Sequence, residues 1–215
     1  MAAPPWLAIW AGPRATIRKI VATNPRRGAH ATAVVTGALG FLAVSMFARA
    51  RMSLLFPPGV VLMGTIVAAP LAVALLYAET LICLLSGWAL GGNGAMVQVR
   101  AAVAWSWTPL IWISLIAIAT LRFARVFRVV FESGRIEPIL TPAGRFLAAA
   151  TGILFVWGFV LSAKGIAEVH GFSGWRGAEA KLITLAVMIT GALAAICVIA
   201  VGYEVMHALR LVIRR

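Results

Sequence analysis

Residues 57–90 read PPGVVLMGTIVAAPLAVALLYAETLICLLSGWAL, and Glu79 is the only charged side chain among them. About 20 apolar residues in a helix, at 1.5 Å per residue, cross the hydrocarbon core of a bilayer. The stretch is longer than one crossing needs, and Pro70 interrupts it. A kinked, tilted helix accounts for both features. A re-entrant hairpin is the alternative, because the piece before Pro70 is too short to span alone. Gly91-Gly92-Asn93-Gly94 ends the run as a tight turn.

Four similar runs lie around it, at 29–48, 101–121, 145–163 and 181–206. Basic residues bracket them: Arg26 and Arg27, Arg49 and Arg51, Arg100, Arg122, Lys164 and Arg210. Ala33/Gly37, Thr36/Gly40 and Gly191/Ala195 are small residues four apart, a spacing that lets helix backbones approach closely. Trp105, Trp107 and Trp112 cluster with Pro109 in the third run. After it, Arg122, Arg125, Arg128 and Arg135 alternate with apolar residues, and the third helix is expected to continue past the bilayer or bend onto it. Lys164 is expected to close the fourth run, and a polar segment, 168–180, to lead into the fifth.

Composition agrees. Of 215 residues, 62% are hydrophobic and 12% charged, against about 45–50% and about 25% in soluble domains. The fold expected is all-α, a bundle of about five transmembrane helices. Nineteen Lys plus Arg face six Glu and no Asp, for a net charge of +13. Because most of the basic residues flank apolar runs, anionic lipid headgroups are the expected partner and nucleic acid is not. Cys83 and Cys197 lie inside apolar runs with no CxxC or Cys/His cluster, which reads as two small buried hydrophobes.

Residues 1–28 form a separate basic segment ahead of the 29–215 membrane domain. Trp6 to Trp10 is too short for a secretory h-region, and positive charge follows it instead of preceding it. Pro13 suits a first helical position and Asn24-Pro25 a stop. Between them Ile17, Ile20 and Val21 share one face, with Arg14 and Arg18 on the other side. That is a short amphipathic helix for an interface, or else a disordered tail. Arg14, Arg18, Lys19, Arg26 and Arg27, unopposed until Glu79, are the expected headgroup anchors. Five spans put the termini on opposite sides. Total charge is nearly balanced between the two faces, and the N-terminal cluster favours a cytoplasmic N-terminus.

Several segments together resemble the Yip1-domain family of five-span membrane proteins. They are Pro13 to Ile20 followed by Asn24-Pro25; Leu90-Gly91-Gly92-Asn93-Gly94 with Gln98; Pro109 inside the third helix; and Gly165, Glu168, His170, Gly171 and Phe172. The resemblance covers nearly the whole chain. It implies a cytosolic N-terminus with the Gly-Gly loop and the Glu168–His170 loop on the same face. It also implies a non-enzymatic scaffold or adaptor that organises lipid or membrane protein partners, or a homo-oligomer, in a bacterial inner membrane more readily than a eukaryotic endomembrane. The long basic Arg122–Arg145 connection departs from the family, which places a short loop there, on the outside.

Glu79 is the candidate for chemistry. A charged group at the bilayer centre costs roughly 2.5–3.5 kcal/mol or more, so it should face the bundle interior and find a partner. Cys83 and Ser86 share its face. It is a proton- or ion-handling site, a structural hydrogen bond to a neighbouring helix, or a neutral acid near the cytosolic end. Lys164, and Glu204 with His207 and Arg210, read as interfacial anchors. Glu168 and His170, two apart, form no metal motif, and Gly91–Gly94 lacks the Lys-Ser/Thr of a phosphate-binding loop. No nucleophile stands beside a base, so neither enzyme activity nor a cofactor is expected. An accessory subunit of a larger complex, or a small-solute or proton pathway through Glu79, are the alternatives to the scaffold.

Overall fold

The structure is a computed structural model that describes residues 4–52, 57–123, 127–132 and 135–213. Its elements in order are α1 (Pro5–Ala11), α2 (Pro13–Thr23), α3 (Ala29–Met52), α4 (Pro58–Ala89), α5 (Met96–Ser106), α6 (Thr108–Phe123), β1 (Phe127–Glu132), β2 (Arg135–Leu140), α7 (Pro142–His170) and α8 (Gly174–Ile213). Five stretches are long and apolar enough to cross a membrane: 29–48, 58–89, 96–122, 142–170 and 174–198. Large apolar side chains cover the outside of the bundle, among them Leu62, Ile153, Val156 and Ile196. Such a surface suits hydrocarbon and not water, and the chain is a multi-pass integral membrane protein.

The spans alternate in direction. One end of the bundle therefore gathers α1, α2, the α4–α5 turn and the α7–α8 turn. The hairpin and the C-terminus of α8 lie at the other. α4 runs unbroken through Pro70, so the long apolar stretch is one helix and not a re-entrant hairpin. α3 lies along α4 through a close approach at Gly37, where an added Cβ would stand 2.5 Å from the Ala68 carbonyl oxygen. Gly40 and Gly191 have open space around them, so of the small-residue pairs only Ala33/Gly37 is used within the chain.

The third span breaks at Trp107 for a reason visible in the sequence. Pro109 has no N–H to donate to the Trp105 carbonyl, and its ring crowds that turn. The Thr108 hydroxyl donates to the freed oxygen instead, at 2.7 Å. The chain restarts as α6, with Pro109 buried.

Two expectations for the connections are corrected. The basic stretch after the third span is not a helical extension but an antiparallel hairpin, with Phe127 paired to Leu140 and Glu132 to Arg135. Arg125 lies outside the described residues. The fourth helix does not close at Lys164. It continues to His170, because Gly165, Ile166 and Ala167 are buried against other helices. Only residues 171–173 separate α7 from α8, so the expected polar segment is mostly helix. The side chains of Glu204, His207 and Arg210 lie outside the described residues.

Candidate functional site

At the first end of the bundle, two helices terminate in the same way and their caps pack on each other. α4 ends with Gly91 in the left-handed region at φ +82°. There the Gly92 N–H donates to the Gly87 carbonyl and the Gly91 N–H to that of Trp88, both at 2.9 Å. α7 ends with Gly171 at φ +72°, with Phe172 N–H donating to the Ala167 carbonyl at 2.7 Å. Both are Schellman caps, which need a residue without Cβ strain at the left-handed position. Gln98 caps the start of α5, its side-chain oxygen accepting from the Ala95 N–H at 3.2 Å.

His170 joins the two caps. Its ring sits among Gly87, Gly92 and Gly94, and a Cβ on Gly92 would lie 2.5 Å from its Nδ1. The Gly94 N–H donates to Nδ1 at 3.2 Å. A ring that accepts there is the neutral imidazole with its proton on Nε2. The other ring face stacks on Phe172, with centroids 5.4 Å apart. The Gly-Gly loop and the His170 loop, which the sequence places far apart, are thus one unit.

The N-terminal segment closes over this unit. Ile17 and Ile20 of α2 and Ile9 of α1 are buried with Ala101, Ala102 and Leu161. The apolar face of α2 is largely buried against the bundle. From its other side, Arg14 Nε reaches a Glu168 oxygen at 3.0 Å and Arg18 Nε the second at 2.6 Å. Arg14 also donates to the Phe172 carbonyl at 3.1 Å. The hydrogen bond to Glu168, then its charge, holds the Arg18 guanidinium above its already high range. Two cations at the carbonyl end of α7 also complement that helix's dipole. Arg14 and Arg18, expected as headgroup anchors, are therefore engaged by Glu168. Lys19, Arg26 and Arg27 remain exposed.

A second polar cluster lies deeper. Glu79 is 5% exposed and Lys181 8%, and they form an ion pair between α4 and α8. Trp107 Nε1, turned inward at the α5–α6 break, donates to the other Glu79 oxygen at 2.9 Å. One turn along, the Thr184 hydroxyl meets Cys83 Sγ at 3.4 Å and lies 3.4 Å from Ser86 Oγ. The expected face of Glu79, Cys83 and Ser86 exists, and it meets α8. Lys181 is corrected from the edge of the fifth span to a buried partner, because α8 begins seven residues before it. Glu79, Trp107 and Lys181 border a cavity of about 180 Å³, together with Ser162, whose buried Oγ has no hydrogen-bond partner.

A third cluster was not legible. Arg100 Nη1 donates to the Tyr77 hydroxyl at 2.7 Å, and its guanidinium carbon lies 5.2 Å from that ring's centre. His30 Nε2 also approaches the hydroxyl, at 3.0 Å. No group of three or more His, Cys, Asp or Glu suited to a metal occurs among the described residues.

Among known proteins, the Yip1 domain matches residues 7–202. No curated protein and no solved structure matches. The match takes in α2, both glycine caps, the Pro109 break and all five spans, so the chain belongs to the Yip1 domain family of integral membrane proteins.

Proposed function

We propose that the chain is a non-enzymatic membrane scaffold or adaptor of the Yip1 type, which organises lipid or membrane protein partners through the capped end of its bundle. The observation that carries this is how the polar groups at that end are used. Arg14, Arg18 and Glu168 satisfy one another, and His170 is enclosed by glycine backbone and Phe172. These contacts fix a shape and do not converge on an open reacting centre. A rigid end of this kind suits recognition, since a preordered surface loses less entropy on binding. The N-terminus on the cytoplasmic side would put Lys19, Arg26 and Arg27 against the anionic leaflet.

The test is gentle-detergent purification from the native membrane, with mass spectrometry of what accompanies wild type and Glu168→Lys, which breaks the tail from the cap. The expected result is a reproducible protein or lipid companion on wild type that is lost from the variant. Equal recovery on both overturns the reading.

An accessory-subunit role is favoured by one observation. From Ile189 to Val198, α8 is exposed on every side, and Gly191 has nothing within 4 Å. A stoichiometric membrane partner that protects α8 from labelling would support it. The proton-pathway reading loses support, because both oxygens of Glu79 are engaged.

A further inference from the structure

Between α1–α2 and the bundle the structure leaves a groove of about 860 Å³. Its walls come from Trp6 of α1, Lys19 and Ile20 of α2, Arg27 and Gly28 before α3, and Trp105 of α5. The volume falls within the range of small-molecule sites, roughly 300–1,000 Å³. Ala29, the first residue of a span, follows Gly28 directly, so the groove lies where the helices enter the bilayer.

Its chemistry is asymmetric. Lys19 and Arg27 are the only charged residues lining it, and neither pairs with an acid among the described residues. The nearby acid, Glu168, is already taken by Arg14 and Arg18. The rest of the wall is mostly apolar, with Trp6, Ile20 and Trp105. Trp105 adds aromatic ring surface to that wall.

We propose that this groove binds one anionic glycerophospholipid from the surrounding bilayer. Lys19 and Arg27 receive its phosphate, and the aromatic wall takes the glycerol and the first acyl carbons. Charge selects the headgroup, and the position at the bilayer surface selects a lipid over a soluble anion. The site rests on the lipid-organising half of the proposed function and names its ligand.

The test uses the full chain in mild detergent, with native mass spectrometry after adding phosphatidylglycerol or phosphatidylcholine of identical acyl chains. Wild type should retain one phosphatidylglycerol with a preference of roughly tenfold or more, as expected for two basic residues at a membrane surface. Lys19→Glu/Arg27→Glu should lose that preference. Arg176→Glu reverses the charge of an exposed residue at the same end but outside the groove, and should keep it. Trp105→Phe should weaken retention without removing the headgroup preference. Equal binding of the two lipids by wild type, or equal loss in both charge variants, overturns the site. If a protein partner still copurifies while the groove variant holds lipid as wild type does, the site falls and the scaffold reading stands.

Discussion

Replacing Lys181 with Met tests the buried pair. Lys181→Met fills a similar volume but leaves the Glu79 carboxylate with Trp107 Nε1 alone, in a site 5% exposed. Removing one partner of a buried pair costs about 3–5 kcal/mol, because the other charge stays desolvated. Glu79→Leu should cost a similar amount, by stranding the ammonium. The double variant removes both charges and loses chiefly the indole's hydrogen bond, about 1 kcal/mol. The cycle should therefore show a coupling of several kcal/mol, since residues in direct contact are not additive. With roughly 2–4 °C per kcal/mol for a chain of this size, each single variant should melt about 10 °C low and the double variant close to wild type. The assay is loss of monodisperse protein on heating in one fixed detergent, read by fluorescence size exclusion. Additive losses, with the double variant the least stable of the three, would refute the pair.

Three further outcomes follow from the same contacts. Gly92→Ala drives a methyl between His170 and Phe172 and should cost about 1–3 kcal/mol by overpacking, while Gly40→Ala, in open space, should gain roughly 0.5–1 kcal/mol of helix propensity; the same heating assay reads both. Glu79→Gln should leave ion and proton flux through reconstituted vesicles at the background of empty ones, as wild type does; a flux present in wild type and abolished in the variant would restore the pathway reading. Raising salt should speed tryptic cleavage near Arg26 and Arg27, since partly exposed pairs holding α2 to Glu168 are screened; salt-independent cleavage would mean that the pairs do not hold the tail.

Local rules made much of this fold legible. Pro13 and Asn24-Pro25 bound α2 where the structure bounds it. Gly91 caps α4 as its glycine suggests; Pro109 lies inside the third span as expected, but the break it makes there was not anticipated. The helical face of Glu79, Cys83 and Ser86 is real. What the sequence concealed depends on neighbours. Lys181 stood at the first position of the fifth run, where charge normally marks the membrane edge. The cue was that α4 holds one acid needing a partner and the fifth run opens on a cation. The Glu168–His170 stretch looked like a polar loop because Glu168 and His170 Nδ1 find their partners only across the bundle, on α2 and the α4–α5 turn. Gly87 was passed over, since nothing local says that a histidine 83 residues on needs its space. The β1–β2 pairing escaped notice because the apolar residues among the arginines were read as a continuation of the third helix, although Val129, Val130, Ile136 and Ile139 are β-branched residues that favour strands.

The central claim is that three distant segments of the sequence form one locked cap. A charge swap tests it most directly, with tryptic release of residues 1–27 and partner recovery measured on the same preparations. Glu168→Arg alone should free the tail and lose the partner, and adding Arg14→Glu and Arg18→Glu should restore both. A tail that stays protected in Glu168→Arg, or a triple variant no better than the single, would contradict it.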